Sequence, residues 1–175
     1  MLSIVMLIVD AIATLLGGAL LLRFWMQAIR VRPPSSVAQF TFQLSDWLVR
    51  PLRRIVPGVG GYDWASLIGA FLIVLLATSV LFLAGWTTQA VLLVALQRFL
   101  QWILYGFMAL LVIEAIFSWV NPHAPLAPFV RALNEPLLKP IRRMVPLVGN
   151  LDLSLLVALI LLQIAQILLG MLFSR

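Results

Sequence analysis

Long apolar runs alternate with shorter polar stretches along this chain. Four of the runs approach the roughly 20 residues that an α-helix needs to cross the hydrocarbon core of a bilayer. They cover about Leu2–Leu22, Trp64–Ala84, Phe99–Val120 and Leu153–Phe173. Because 63% of the residues are hydrophobic and only 10% are charged, the chain has more apolar surface than a soluble core could bury. The pattern predicts an all-α membrane protein with four transmembrane helices.

The polar stretches after the first and third runs show helical periodicity of their own. In the first, the apolar positions are Val37, Phe40, Leu44, Trp47 and Leu48, opposite Gln39, Gln43, Asp46 and Arg50. In the second they are Leu126, Phe129, Leu133 and Leu137, opposite Arg131, Glu135 and Lys139. Each stretch predicts an amphipathic helix. Such helices can lie in the headgroup plane or pack on the ends of the spans, and the two placements are compatible.

One short motif occurs twice at a fixed spacing. Residues 50–66 read RPLRRIVPGVGGYDWAS and residues 139–155 read KPIRRMVPLVGNLDLSL, and they align without a gap at an offset of 89 residues. A recurring unit of this kind indicates internal duplication. We therefore divide the chain into repeats at 1–88 and 89–175, each with two spans. Since each unit crosses the membrane twice, the two repeats are expected to be parallel.

The motif itself predicts local structure. Pro51 and Pro140 are expected to break the preceding helix, and Pro136 to end or kink the second one earlier. A turn should follow, begun by proline and closed by glycine, at Pro57 and Gly60 in the first copy and at Pro146 and Gly149 in the second. Asp63 and Asp152 stand just before apolar runs, and we predict that they cap the following helices.

The distribution of basic residues predicts the orientation. Most of them follow runs one and three: Arg23, Arg30, Arg32, Arg50, Arg53, Arg54, Arg131, Lys139, Arg142 and Arg143. Arg98 and Arg175 lie at the other face. Because cytoplasmic flanks carry the excess of positive charge, both loops should be cytoplasmic and both termini periplasmic. The N-terminal MLSIVMLIVD lacks the basic region of a signal peptide, so we interpret it as a retained first span of a bacterial inner-membrane protein.

The basic residues also indicate what the loops could bind. The sequence pI is about 11.4, but the cations lie between apolar segments, where anionic lipid headgroups are nearer than nucleic acid. The pairs Arg53–Arg54 and Arg142–Arg143, with Arg50 and Lys139 nearby, are interpreted first as topology determinants and lipid anchors. The alternative is a forked donor site for phosphate or carboxylate.

A few polar residues fall inside the apolar runs, where their burial is costly. Asp10 and Glu114 are the acidic ones. When the two repeats are aligned with a gap of two residues, Glu114 is equivalent to Arg23. We predict that Arg23 and Glu114 form an ion pair across the repeat interface. Gln163 and Gln166 share one face of the last run and are expected to form hydrogen bonds between helices.

The sequence contains few residues or motifs that indicate catalysis or cofactor binding. The chain has no cysteine and one histidine, His123, whereas a zinc site needs three or four ligands and a bis-histidine haem needs a second histidine. No catalytic triad, glycine-rich phosphate loop or carboxylate dyad is evident. We expect no metal, no cofactor and no enzymatic activity.

The repeated motif resembles a known family. The stretch NEPLLKPIRRMVPLVGNLDLS at 134–154, preceded by FSWVNP at 117–122, is similar to the YggT family, also called YlmG, of small bacterial integral membrane proteins. The first copy, LSDWLVRPLRRIVPGVGGYDWAS, is a looser match that lacks the Glu-Pro pair. The resemblance implies no established enzymatic activity. It implies links to osmotic tolerance and to division or membrane organisation in bacteria, and to cytochrome b6 haem attachment and nucleoid distribution in plastids.

These observations lead to three functional hypotheses. The favoured one is a non-catalytic protein whose basic amphipathic loops organise or help to assemble membrane components, with anionic lipids and an unidentified membrane-protein client as partners. The second is an oligomeric channel or transport accessory for ions or osmolytes, with Asp10, Glu114 or Gln163 facing a shared cavity. The third, by analogy with the plastid relatives, is a helper in cofactor assembly that does not keep the haem.

Overall fold

The computed structural model describes residues 2–145 and 153–173, and all regular elements within these ranges are helical. The helices are α1 (Leu2–Ala28), α2 (Ser35–Ile55), α3 (Trp64–Thr78), α4 (Thr88–Val120), α5 (Ala127–Met144) and α6 (Leu153–Phe173), with a short 3-10 helix at Ser79–Ala84 after α3. The all-α prediction is confirmed. Helices α2 and α5 cover the two segments for which the sequence predicts amphipathic helices.

Four helices are long and apolar enough to cross a membrane, as predicted: Ile4–Ala28, Trp64–Ala84, Thr88–Val120 and Leu153–Phe173. The third begins 11 residues before the expected Phe99, since α4 starts at Thr88. Two contacts explain the early start. The Thr87 hydroxyl accepts a hydrogen bond from the Ala90 amide and caps the helix, and Arg98 forms an ion pair with Asp10 of α1.

The same set of helix contacts occurs in both halves of the chain. Helix α1 packs on α3 and α4 packs on α6, while α2 lies against α1 and α3 and α5 lies against α4 and α6. Each half has its own buried cluster, around Leu20, Val49 and Ala70 in the first and around Leu111, Leu138 and Ala158 in the second. The outer faces of the spans carry large exposed apolar side chains, as expected for surfaces in contact with lipid.

The two halves meet mainly where α4 contacts α3 and α1. The contacts between α1 and α4 occur in the same order along both helices: Asp10 with Arg98, Gly17 with Trp102, and Trp25 with Phe107. The two helices therefore run in the same direction. This is the arrangement expected of parallel repeats, whose boundary at residue 88 is predicted from the sequence alone.

The prediction that prolines end the two amphipathic helices is wrong. Pro51 lies inside α2, and Pro136 and Pro140 lie inside α5, so none of them ends its helix. An internal proline costs a helix about 3 kcal/mol. Packing offsets this cost, because Val49 and Leu138 next to these prolines are fully buried against the spans.

The first predicted turn is present. Helix α2 ends at Ile55, Pro57 follows, and Gly60 and Gly61 adopt positive φ angles of 69° and 81°. The Tyr62 amide donates a 3.4 Å hydrogen bond to the Val59 carbonyl and closes the turn. The equivalent Pro146 and Gly149, together with Asp152, lie outside the described residues.

Candidate functional site

Arg23, near the end of α1, is the centre of a buried polar cluster. Its Nη1 donates hydrogen bonds of 2.7 Å to Ser45 Oγ and to Asp46 Oδ1, both on α2. Its Nε lies 3.4 Å from Asp63 Oδ2, at the start of α3. The ring of Phe42 lies 4.8 Å from the guanidinium carbon. These contacts tie α2 to the ends of both spans, and we call Arg23, Ser45, Asp46, Arg53 and Asp63 the first clasp.

Asp63 is buried in this cluster, and its role differs from the predicted one. It occupies the N-cap position of α3, but its carboxylate accepts no hydrogen bond from a helix amide. Instead, Oδ2 accepts hydrogen bonds from Arg53 Nη2 at 2.7 Å and from Ser66 Oγ at 2.6 Å. Charge-assisted bonds to guanidinium are stronger than neutral ones, so they outcompete the cap.

The carboxyl groups of the first clasp are held in their ionised form. Burial raises the pKa of Asp63, but hydrogen bonds from Arg53 and Ser66, with the positive charges of Arg53 and Arg23, outweigh burial and lower it. The pKa of Asp46 is lowered mainly by the hydrogen bond from Arg23. The first clasp is thus a charged network at neutral pH.

A second cluster surrounds Glu114, which is buried on α4. Its Oε2 accepts a 2.7 Å hydrogen bond from Asn134 Nδ2, and its Oε1 lies 3.3 Å from Arg142 Nη2 and 3.9 Å from Arg131 Nε. Asn134 also donates to the Leu110 carbonyl at 2.9 Å. Arg131, Asn134 and Arg142 all lie on α5. We call Glu114, Asn134 and Arg142 the second clasp, because they tie α5 to α4.

The two clasps use equivalent positions with inverted central charge. At the offset of 89 residues, Ser45 aligns with Asn134 and Arg53 with Arg142. Ser45 and Asn134 each form a hydrogen bond with the central ion, which is Arg23 in one half and Glu114 in the other. In both halves a spanning helix therefore holds its amphipathic helix through a buried ion.

The predicted ion pair between Arg23 and Glu114 is wrong. Each of these residues has partners of opposite charge within its own half of the chain. The prediction failed because it compared equivalent positions and did not consider the amphipathic helices as sources of partners. Ser45 and Asn134 were missed, although each interrupts the buried stripe of its helix with a polar side chain at the same place in both copies.

The two members of each arginine pair differ in their contacts. The first member, Arg53 or Arg142, has its guanidinium in an ion pair. The Arg53 side chain is nevertheless 46% exposed, and Arg54, Arg143 and Lys139 are exposed too. Arg53 forms a forked contact with a carboxylate of its own chain, donating from Nε to Asp63 Oδ1 at 3.3 Å and from Nη2 to Asp63 Oδ2 at 2.7 Å. Binding of a phosphate or carboxylate from outside the chain stays a prediction. Arg50 is also exposed and forms a 2.8 Å ion pair with Asp46, one helical turn away.

The other polar residues of the spans have separate contacts. Asp10 pairs with Arg98 through bonds of 2.9 and 3.3 Å, which link α1 to α4. Gln166 Nε2 lies 3.1 Å from Met108 Sδ on α4, a contact between helices of the predicted kind. Gln163 is exposed on α6.

No group of three or more His, Cys, Asp or Glu side chains within residues 2–145 and 153–173 is placed to hold a metal ion. His123 lies exposed in the loop between α4 and α5.

Comparison with known proteins identifies the family. The family description CCB3/YggT matches the chain over residues 2–84 and 93–173. The chain belongs to the CCB3/YggT family. Among its relatives, YggT of Escherichia coli K12 is 32% identical over 146 residues, covering 83% of this chain and 78% of the relative. A Vibrio alginolyticus protein named for the proC 3' region is 34% identical over 163 residues, covering 86% and 84%.

A third relative, the Pseudomonas aeruginosa protein PA0392, is 36% identical over 155 residues, covering 85% of this chain and 79% of the relative. All three are named as uncharacterized proteins, so CCB3/YggT membership brings no activity to this chain. No solved structure gives a significant match. Each of the two CCB3/YggT ranges contains one clasp: 2–84 includes Arg23 to Asp63, and 93–173 includes Glu114 to Arg142.

Proposed function

We propose that this CCB3/YggT protein is a non-catalytic membrane organiser, whose amphipathic helices form a fixed basic platform that holds or helps to assemble other membrane components. One observation carries the proposal. Each amphipathic helix is fastened to the spans by a buried clasp, yet it leaves a basic and apolar end exposed. On α2 this end is Arg54 and Ile55, and on α5 it is Arg143 and Met144, with Ile55 79% and Met144 85% exposed.

The exposed edge of α2 extends beyond this end. Phe40 and Trp47 are exposed and lie beside the buried stripe of Thr41, Ser45 and Val49. A row of apolar side chains next to cations suits the boundary between headgroups and acyl chains, or the apolar surface of another membrane protein. Because the clasps fix α2 and α5, these edges are presented without the entropic cost of ordering a flexible loop.

We propose that the platform lies on the cytoplasmic side of a bacterial inner membrane. The support is the excess of lysine and arginine on and around α2 and α5. Anionic lipids of that leaflet would concentrate the protein's client at the same surface. The family's links to osmotic tolerance and division, which the resemblance implies, fit a protein that organises other membrane components.

A channel is the weaker proposal. In the part of the chain that the structure describes, the ionisable side chains of the spans each lie beside a residue of opposite charge type: Asp10 beside Arg98, Arg23 beside Asp46 and Asp63, and Glu114 beside Arg131 and Arg142. Because these side chains are paired with one another, they do not line a continuous hydrophilic path for ions or solutes. A solute route would need several copies of the chain and different pairing.

The proposal is tested by photocrosslinking in living cells from Ile55 and Met144, followed by mass spectrometry of the products. Leu83 is the matched control, since it is 78% exposed and lies at the opposite end of the spans. We expect one identified membrane protein to be captured from both Ile55 and Met144 and not from Leu83. Its capture should fall when Arg54 and Arg143 are both changed to glutamine. Capture of lipid alone, or of further copies of this chain alone, would contradict the proposal.

A further inference from the structure

A cleft of about 770 Å³ lies between α1 and α4, lined from Thr14 to Trp25 on α1 and from Trp102 to Leu110 on α4, with Leu67 of α3 also in its wall. This volume is within the range of small-molecule sites, about 300–1,000 Å³. Gly18 and Gly106 line it and have open space where a side chain would be. The cleft is thus a cavity that two glycines leave unfilled within the spans.

The chemistry of the lining favours an apolar occupant. Most of the lining residues are aliphatic or aromatic. Four lining side chains carry a polar group, and two of these groups already have partners: Thr14 Oγ1 donates to the Asp10 carbonyl at 2.7 Å, and Trp25 Nε1 donates to the Leu133 carbonyl at 2.9 Å. The Trp102 indole and the Tyr105 hydroxyl are the other two, so only two groups in the lining are left for a polar ligand. A polar ligand would lose its hydration here and regain few hydrogen bonds, whereas an alkyl chain would lose nothing.

The dimensions fit one leaflet of a bilayer. The lining runs along α4 from Trp102 to Leu110, nine residues separated by eight steps, which is about 12 Å at 1.5 Å per residue. Half of a hydrocarbon core of roughly 30 Å is about 15 Å. An acyl chain of the adjacent leaflet could therefore lie along most of the cleft.

Helix α5 lies at one end of the cleft, although none of its residues is among those that line it. Helix α5 reaches both walls there, because its Leu133 carbonyl accepts the bond from Trp25 and its Asn134 donates to the Leu110 carbonyl. Arg131 belongs to the same turn of α5 and its side chain is 69% exposed. Its contact with Glu114 is loose, at 3.9 Å, so the guanidinium keeps donors for another anion.

We propose that this cleft is a binding site for an anionic phospholipid, with one acyl chain between α1 and α4 and the phosphate on Arg131. Burial of methylene groups between the two halves supplies affinity, and the guanidinium of Arg131 supplies the preference for an anionic headgroup. The site does not depend on the platform proposed above, since Ile55 and Met144 take no part in it.

The test uses the purified full chain in mild detergent, titrated with phosphatidylglycerol or phosphatidylcholine and observed by native mass spectrometry. We expect one phosphatidylglycerol per chain, bound more tightly than phosphatidylcholine. Gly106→Leu and Gly18→Leu should each weaken binding about tenfold, because a leucine side chain displaces at least two methylenes of the ligand. Gly170→Leu on α6 is the matched control, as Gly170 also has open space beside it but lies outside the cleft.

The headgroup contact is tested separately. Arg131→Gln should weaken phosphatidylglycerol binding about fivefold, the effect of one cation at a membrane surface, and leave phosphatidylcholine binding unchanged. Arg32→Gln, an exposed change in the loop between α1 and α2, outside the clasps and the platform ends, should alter neither. Equal binding of both lipids, or binding that both leucine variants leave unchanged, would overturn the proposal. A dimer that disappears in the leucine variants while lipid binding stays the same would assign the cleft to a second copy of the chain and overturn it as well.

Discussion

Replacing Glu114 with alanine should release α5 from the spans. The change removes the acceptor of the 2.7 Å bond from Asn134 and the carboxylate 3.3 Å from Arg142. A buried donor left unpaired costs about 1–3 kcal/mol. The lost ion pair adds less than it would in a dry interior, since the Arg142 side chain is 28% exposed and keeps its 3.0 Å contact with Glu135. We expect a total of about 2–4 kcal/mol, against about 3–5 kcal/mol for a fully buried pair.

Hydrogen–deuterium exchange of the protein in detergent measures this effect helix by helix. Amide exchange reports the free energy of local opening, so a loss of about 2–4 kcal/mol should speed exchange in α5 by about 30- to 700-fold. Exchange in α2 should not change, because the first clasp shares no residue with the second. Glu114→Gln, which keeps an acceptor for Asn134, should have a smaller effect. Glu135→Gln is the control: this carboxylate is 49% exposed, and its loss should cost less than about 1 kcal/mol.

Two results would refute this reasoning. Unchanged exchange of α5 in Glu114→Ala would mean that the apolar contacts of α5 hold it without the clasp. An equal rise in α2 and α5 would mean that the two helices open together, and the halves would then not be independent units.

Two further predictions concern the first half of the chain. Acid should weaken the attachment of α2 to the spans. The pKa values of Asp46 and Asp63 are lower in the folded protein than in the unfolded chain, where an aspartate pKa is about 3.9. Their stabilising contribution is therefore present above this unfolded-state pKa and is lost as the pH falls through the folded-state pKa values. Exchange in α2, corrected for the intrinsic rate, should therefore rise between pH 5 and pH 3, and less so in Asp63→Asn; a rise of the same size in that variant would contradict the assignment. Gly17→Ala should lower the thermal midpoint, at a cost of about 1–3 kcal/mol, because the new methyl group meets the ring of Trp102, whereas Gly18→Ala faces open space and should not.

The spans could be predicted from the sequence because membrane insertion depends on the length and polarity of a single segment. The third span differs at its start, because the polar residues before Phe99 belong to the first turns of α4. Arg98 is tolerated there because Asp10, 88 residues away, provides a counter-charge. A pattern within one segment carries no information about such a partner.

The clasps were harder to predict because they depend on three helices meeting. The sequence indicated that Arg23 and Glu114 are unusual and that the arginine pairs recur. It did not indicate that Arg53 pairs with Asp63 and Arg142 with Glu114. These pairs require α2 and α5 to pack on the spans with Ser45 and Asn134 facing the central ions.

The inverted charges of the two clasps lead to a last prediction, the exchange of Arg23 and Glu114. If the two residues paired with each other, Arg23→Glu combined with Glu114→Arg would restore the pair and rescue the single changes. In the structure each single change instead places like charges together, glutamate beside Asp46 and Asp63, or arginine beside Arg131 and Arg142. Sites with no shared partners give additive effects, so the double variant should lose the sum of the two single losses. Thermal midpoints and exchange in α2 and α5 measure this, and a double variant more stable than either single one would restore the ion pair that the structure excludes.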